Sequence, residues 1–305
     1  MTYEDLLLEL TQKDDRYLVV TAENRAAIRG LPDKIGNKFI DTGITEQTMI
    51  GMSAGLALRG RIPITHALAT FITMRAFEFI RSDVGIGNLP VKMVGAVPGF
   101  LSDGNGPTHQ AVEDVSIMRG IPNVNVFCPA DEEDMLLGLP QVFASESPFY
   151  IRYNNLKPEI EHSKDFEIGK AEIISEGKDA TILVYGFLLR EAIKAKKLLE
   201  DKGYSIGIIN LRTVKPIDEN AILNSAKNSN MLVTLEDHFI TGALYSIVGE
   251  IFLKNKVTAD VLPIALENKW FKPALLNDVL EYEGFTGEQI ARKILLKIER
   301  KIQNK

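Results

Sequence analysis

Arg61-Ile62-Pro63-Ile64-Thr65 and Val91-Lys92-Met93-Val94-Gly95-Ala96 bracket a stretch, 70–84, whose apolar residues recur at helical spacing. Two short, mostly β-branched runs on either side of an amphipathic segment read as strand, helix, strand, the unit of a parallel sheet. Working outward, the residues 17–20, 124–127 and 149–152 read as further strands, and 46–58, 110–119 and 131–145 as helices. Residues 154–167 break the rhythm: they are polar, carry Pro158 and lack periodicity, which predicts a linker. A second alternation follows, with strands expected at 181–185, 205–210, 231–236 and 261–265 and helices at 188–202, 218–228, 242–255 and 287–301. The expected fold is two α/β domains, 1–157 and 168–305, the first with a mostly parallel sheet.

The composition narrows the setting. A length of 305 residues exceeds what one core usually serves, which agrees with two domains. The net charge is −6 and the basic residues are dispersed, so neither a nucleic-acid partner nor an anionic membrane is expected. The single cysteine, Cys128, sits in an apolar run and reads as a small buried residue. The first five residues carry Glu4 and Asp5 where a secretory signal would be basic, and no apolar run approaches the ~18–20 residues that span a bilayer. A cytoplasmic setting is the expectation.

Several chemistries find no support. There is no GxxxxGK[ST] phosphate loop and no GxSxG elbow, and the four histidines lack zinc-site spacing, so no metal ligand is assigned. Three segments offer something positive. Glu46 would occupy the first turn of a helix, where a carboxylate complements the dipole or, if enclosed, shares a proton with a ligand ring nitrogen. Leu68, Phe71 and Met74 recur every three residues, as ordinary core does or as the lining for a flat ring. His109 follows the turn-rich Gly104-Asn105-Gly106-Pro107 and would stand at the start of the next helix, on a loop where α/β sheets bind ligands.

Taken in order, these segments resemble the transketolase family. The match is carried by Gly43-Ile44-Thr45-Glu46-Gln47, Arg75-Ala76-Phe77-Glu78-Phe79-Ile80-Arg81, Gly106-Pro107-Thr108-His109-Gln110 and Arg119-Gly120-Ile121-Pro122-Asn123. In the second half, Asn210-Leu211-Arg212-Thr213-Val214-Lys215-Pro216 and Leu235-Glu236-Asp237-His238 resemble the family's C-terminal domain. 1-Deoxyxylulose-phosphate synthase and the β-subunit of 2-oxoacid dehydrogenases share the architecture, but the Gly-Pro-Thr-His-Gln and Arg-Ala-Phe-Glu segments lean towards transketolase. The resemblance implies thiamine diphosphate as cofactor and transfer of a two-carbon ketol unit from a ketose to an aldehyde. It makes Glu46 the partner of N1′ of the aminopyrimidine, Phe71 the aromatic against that ring with Leu68 and Met74 beside it, and His109 a group at the reacting centre. It further implies that Mg²⁺ and the diphosphate are bound mainly by a separate N-terminal subunit, in an α2β2 assembly.

The departures bear on substrate. By the same resemblance, Val97 stands where sugar-phosphate transketolases place a histidine, Asn105 replaces an aspartate, and Asn154 and Asn155 fall near a phosphate-gripping arginine. These five positions, counting His109, are the expected substrate contacts, and the loss of charged groups predicts non-standard substrate recognition. Arg25, Arg29 and Arg152 are the cations that could stand in. Two other readings stay open: a decarboxylating carboligase that uses a 2-oxoacid donor, and a non-catalytic assembly subunit.

Overall fold

The computed structural model describes residues 1–102 and 104–303; Asp103, in the Ser102-Asp103-Gly104 segment of the sequence, lies outside the described residues. Twelve strands are formed among these residues: β1 (Tyr17–Thr21), β2 (Phe39–Asp41), β3 (Ile62–Leu68), β4 (Lys92–Ala96), β5 (Asn125–Phe127), β6 (Phe149–Arg152), β7 (Glu172–Ser175), β8 (Ala180–Val184), β9 (Ile206–Asn210), β10 (Thr213–Lys215), β11 (Leu232–Phe239) and β12 (Val261–Leu266). They make two sheets, of order β10-β5-β6-β4-β3-β1-β2 and β12-β11-β8-β9-β7. Each sheet is parallel except for one edge, β10 in the first and β7 in the second. The expected two α/β domains with mostly parallel sheets are present.

The first sheet is buried on both faces, which explains strands that read as continuous apolar runs. On one face Met49, Ile50 and Ala54 of the helix Glu46–Leu58 pack with Ile72, Ile80 and Val84. On the other, Leu6 and Leu7 of the helix Tyr3–Lys13 belong to the same apolar cluster as Met135, Leu139 and Val142 of the helix Glu132–Ala144. Each of the Leu, Ile, Val and Met side chains among these contributes about 1.5–3 kcal/mol by leaving water. The apolar layer around Met49 does not stop at the domain boundary: it continues through Leu183, Ile209, Leu232, Leu244 and Ile247 of the second half. The opposite face of the second sheet is covered by the helices Leu189–Glu200 and Gly287–Gln303.

Two expectations need correction. The stretch 70–84 is not a regular helix but two π-helical turns, Phe71–Arg75 and Ile80–Gly85, flanking a short α-turn. The helix expected at 110–119 begins only at Asp114. The backbone before it is engaged elsewhere, because Ala111 O accepts from Gly99 N and Val112 O from Phe239 N. The linker, irregular as expected, nevertheless buries His162 and Phe166. Cys128 is fully buried, and burial pushes its thiol up. No helix among the described residues is long and apolar enough to cross a membrane.

His162 ties the linker to both halves. Nε2 lies 2.8 Å from Asp131 Oδ2 and Nδ1 2.8 Å from Glu172 Oε2. Asp134, His162 and Glu172 bring possible metal-ligand atoms within 4.8 Å of one another. Arg212 is already among them, with Nε 2.7 Å from Asp134 and Nη2 3.0 Å from Glu172, so the cluster has its own cation. Burial opposes the charged imidazole, but the two carboxylates overcome it and raise His162 to about 10. Burial likewise opposes the Glu172 carboxylate, which His162 and its neighbours hold down at about 2. His162 therefore stabilises fully below its ordinary 6.5 and loses that contribution as pH rises towards 10. Glu172 stabilises fully above its ordinary 4.5 and loses it as pH falls towards 2. The difference in thermal midpoint between wild type and His162→Leu should thus be largest at about pH 4.5–6.5 and shrink on both sides. A difference that does not vary with pH would show that the pair is not charged in the fold.

Candidate active site

The C-terminal ends of the parallel strands, where α/β sheets bind ligands, gather most of the expected residues. The turn after β2 leads into the helix that starts at Glu46, Leu68 closes β3, Val97 follows β4, and Asn154 and Asn155 follow β6. Glu46 sits in the first turn of its helix, and only 2% of it is exposed. Its Oε2 accepts a 2.7 Å hydrogen bond from Arg75 Nη1, and Oε1 has no hydrogen-bond partner among the described residues. The Arg75 guanidinium also lies 4.0 Å from the centre of the Phe71 ring, in cation–π range. Phe71 in turn meets His109 edge-on, with ring centres 5.0 Å apart. Glu46, Arg75, Phe71 and His109 thus form one unbroken chain of contacts.

The π-turn Phe71–Arg75 is what aims this chain. It widens the helix by a residue, and within that turn Arg75 packs on Phe71 while reaching Glu46. Arg75 was in plain view in the Arg-Ala-Phe-Glu segment, yet nothing in its sequence context distinguishes an ion-paired arginine from a solvated one. Leu68 and Met74 are half-buried here, and the Met74 sulfur lies 3.7 Å from the Thr70 hydroxyl.

His109 is half-buried in a loop and not at a helix start, five residues before Asp114. Its Nδ1 lies 2.8 Å from the Thr108 hydroxyl. The loop is held at its base by the bridge between Gly99 and Ala111. Gly99 has φ +55°, and a Cβ there would stand 1.8 Å from Asp237 Oδ2 and 2.7 Å from Arg152 Nη2. Only glycine lets the loop rest directly on that ion pair.

The expected substrate residues divide. Asn105 is exposed on the same loop. Val97 and Asn155 line a cavity of about 370 Å³ that also takes in Asn24, Tyr153, Leu101 and Leu276. Asn154 is buried and its polar groups are used within the fold: its amide donates to Pro129 O and Ala130 O, and its Oδ1 accepts from Leu156 N. Arg152 cannot replace a phosphate-binding arginine. It is buried, with Nε 2.9 Å from Asp114 Oδ2 and Nη1 2.7 Å from Asp237 Oδ1. Arg25 is engaged with Asp41, while Arg29 is exposed and lies outside the cavity wall.

A buried carboxylate with one oxygen free, next to an aromatic face, suits an aminopyrimidine: the oxygen can accept from a ring N–H while the ring packs on Phe71. The residues therefore fit thiamine diphosphate at its pyrimidine end. Comparison with known proteins agrees. Residues 2–158 match the transketolase pyrimidine-binding domain and 169–290 the transketolase C-terminal domain. The 6-deoxy-6-sulfo-D-fructose transketolase subunit SqwH of a Clostridium species is 36% identical over 98% of this chain and 94% of its own length. A putative transketolase C-terminal section of Methanocaldococcus jannaschii is 33% identical over 96% and 94%. Among solved structures, a split-gene transketolase described as an inactive β4 tetramer superposes with TM-score 0.87 at 30% identity, over 97% of both chains. A 1-deoxy-D-xylulose-5-phosphate synthase of Dictyoglomus thermophilum is 32% identical over 96% of this chain, which spans only 48% of that enzyme. The chain belongs to the transketolase family and corresponds to its pyrimidine-binding and C-terminal domains.

Proposed function

We propose that this chain is the C-terminal subunit of a thiamine-diphosphate-dependent transketolase that moves a two-carbon ketol unit from a ketose-type donor to an aldehyde. The carrying observation is the contact chain from Glu46 through Arg75 and Phe71 to His109, which puts a buried carboxylate, an aromatic face and an imidazole in one place. A partner subunit that binds the diphosphate and Mg²⁺ would complete the site, in an α2β2 assembly. Relatives that end-to-end alignment pairs with this chain are themselves named as a subunit and a C-terminal section.

When bound, the cofactor supplies the stabilised carbanion chemistry that breaks and remakes a bond next to a carbonyl. This chain's part is positioning and proton control. Glu46 holds a proton at the pyrimidine nitrogen through Oε1, and Arg75 fixes the carboxylate from the other side through Oε2. Phe71 fixes the plane of the ring. His109, oriented by Thr108 at Nδ1, has Nε2 left to polarise or protonate a substrate oxygen.

Near-ultraviolet circular dichroism tests this. Thiamine diphosphate and Mg²⁺ titrated into the complex isolated through this chain should give a saturable band, and the chain alone should give none. A stable complex without a band would sink the proposal.

A further inference from the structure

We infer that the cavity between β1, β4 and β6 seats the far end of the substrate, and that this end is uncharged and hydroxylated, with an apolar side, not a phosphate. The inference rests on the functional reading above and adds the substrate class. The cavity opens at the same strand ends as Glu46, and one wall, Leu101, belongs to the loop that carries His109. A chain of carbons reacting beside His109 would extend into it.

The lining decides the chemistry. No charged side chain lines the cavity among the described residues; its polar groups are those of Asn24, Tyr153 and Asn155, set against Val97, Leu101 and Leu276. Asparagine and phenol groups satisfy hydroxyls, which donate and accept. A phosphate dianion calls for charge-assisted bonds, but Arg25 is paired with Asp41, Arg152 with Asp114 and Asp237, and the exposed Arg29 is not part of the cavity lining. The wall is also held under strain. Val97, a β-branched residue, has φ +48° directly after β4. Such a conformation persists only where the surroundings enforce it, and it clusters at ligand sites.

The second half of the chain supplies Leu276, and with it a say in specificity. Residues 267–276 lie against the His109 loop: Gln110 Nε2 donates to Phe271 O at 3.3 Å, and Phe271 meets Phe100 edge-on at 5.1 Å. Leu276 is thereby a specificity-determining residue contributed by the C-terminal domain.

The test uses the complex of this chain with its diphosphate-binding partner, loaded with thiamine diphosphate and Mg²⁺. Xylitol and xylitol 5-phosphate, which lack the reactive carbonyl, are titrated by calorimetry. The phosphate ester should bind no more than about threefold tighter than xylitol, less than the tenfold that one good charge-assisted contact brings. Asn155→Arg should tighten the ester by about tenfold or more and leave xylitol nearly unchanged. Leu276→Trp should weaken both by filling the cavity; Asn155, being exposed, keeps the test alive if that variant fails to fold. Wild-type preference for the ester above about thirtyfold would overturn the inference while leaving the transketolase reading intact. So would indifference of both sugars to Asn155→Arg, or no binding by either with cofactor in place. A complex that never takes up cofactor removes the functional reading, and this inference with it.

Discussion

Glu46→Gln is expected to lower kcat/KM of the complex by about 10²–10⁴, the range typical of losing a positioned acid–base group. The change is nearly isosteric, and the amide oxygen can still accept from Arg75, so the side chain should stay in place. What it loses is the negative charge that lets the free oxygen hold a proton at the cofactor. Stability should hardly move, because a first-turn carboxylate contributes only about 0.3–1 kcal/mol through the helix dipole. The separation of the two effects is the point of the measurement. Steady-state rates on the wild-type and variant complexes, with thermal midpoints alongside, are sufficient. Activity within threefold of wild type would remove Glu46 from the chemistry, and an equally deep loss of stability would make it structural.

The largest effect on stability is expected at Arg152. Its guanidinium lies between Asp114 and Asp237 from opposite halves of the chain, and all three are buried. Burial raises the Asp237 carboxyl, and the Arg152 charge works against that rise. Tyr150 adds a 2.6 Å hydrogen bond to Asp114. Arg152→Met keeps most of the volume but leaves two carboxylates without a cation, which costs about 3–5 kcal/mol when one partner of a buried pair is removed. Arg152→Lys should rescue little, since one ammonium cannot match a fork that reaches both carboxylates. Urea unfolding of the three proteins at neutral pH would settle it. A loss below about 1 kcal/mol in Arg152→Met would mean that the aspartates are relieved by water or by protonation.

How far the sequence could be read follows from what is local. The helix Glu46–Leu58 was bounded correctly because its apolar spacing and its acidic first turn are adjacent signals. Most strands of both sheets were found for the same reason, their apolar runs being short and bounded by polar or Gly/Pro residues, but the short antiparallel edge strands β7 and β10 were not. The helix Tyr3–Lys13 was missed although Thr2 and Asp5 form a capping box in front of it. Other misses are non-local. A period of three in Leu68, Phe71 and Met74 hid the π-turns, which the contact of Arg75 with Glu46 accompanies. His109 could not be placed in a loop from its neighbours, since Phe239 and Phe271 of the second half take up the backbone and side chains around it. Asn154 and Asn155 are consecutive and alike in sequence, yet one caps buried carbonyls and the other faces the cavity. Only the fold separates them.

Strand β10 has a wider consequence. It comes from beyond the linker, pairs antiparallel with β5 and seals an edge of the first sheet that would otherwise be open to another chain. The two domains are therefore not interchangeable modules. A chimera that replaced residues 168–305 with a foreign C-terminal domain would inherit an unpaired edge and a bare apolar flank unless the graft brought its own version of Thr213–Lys215. Recombination within such a chain is constrained less by the linker, where a cut looks easy, than by three residues some fifty positions downstream.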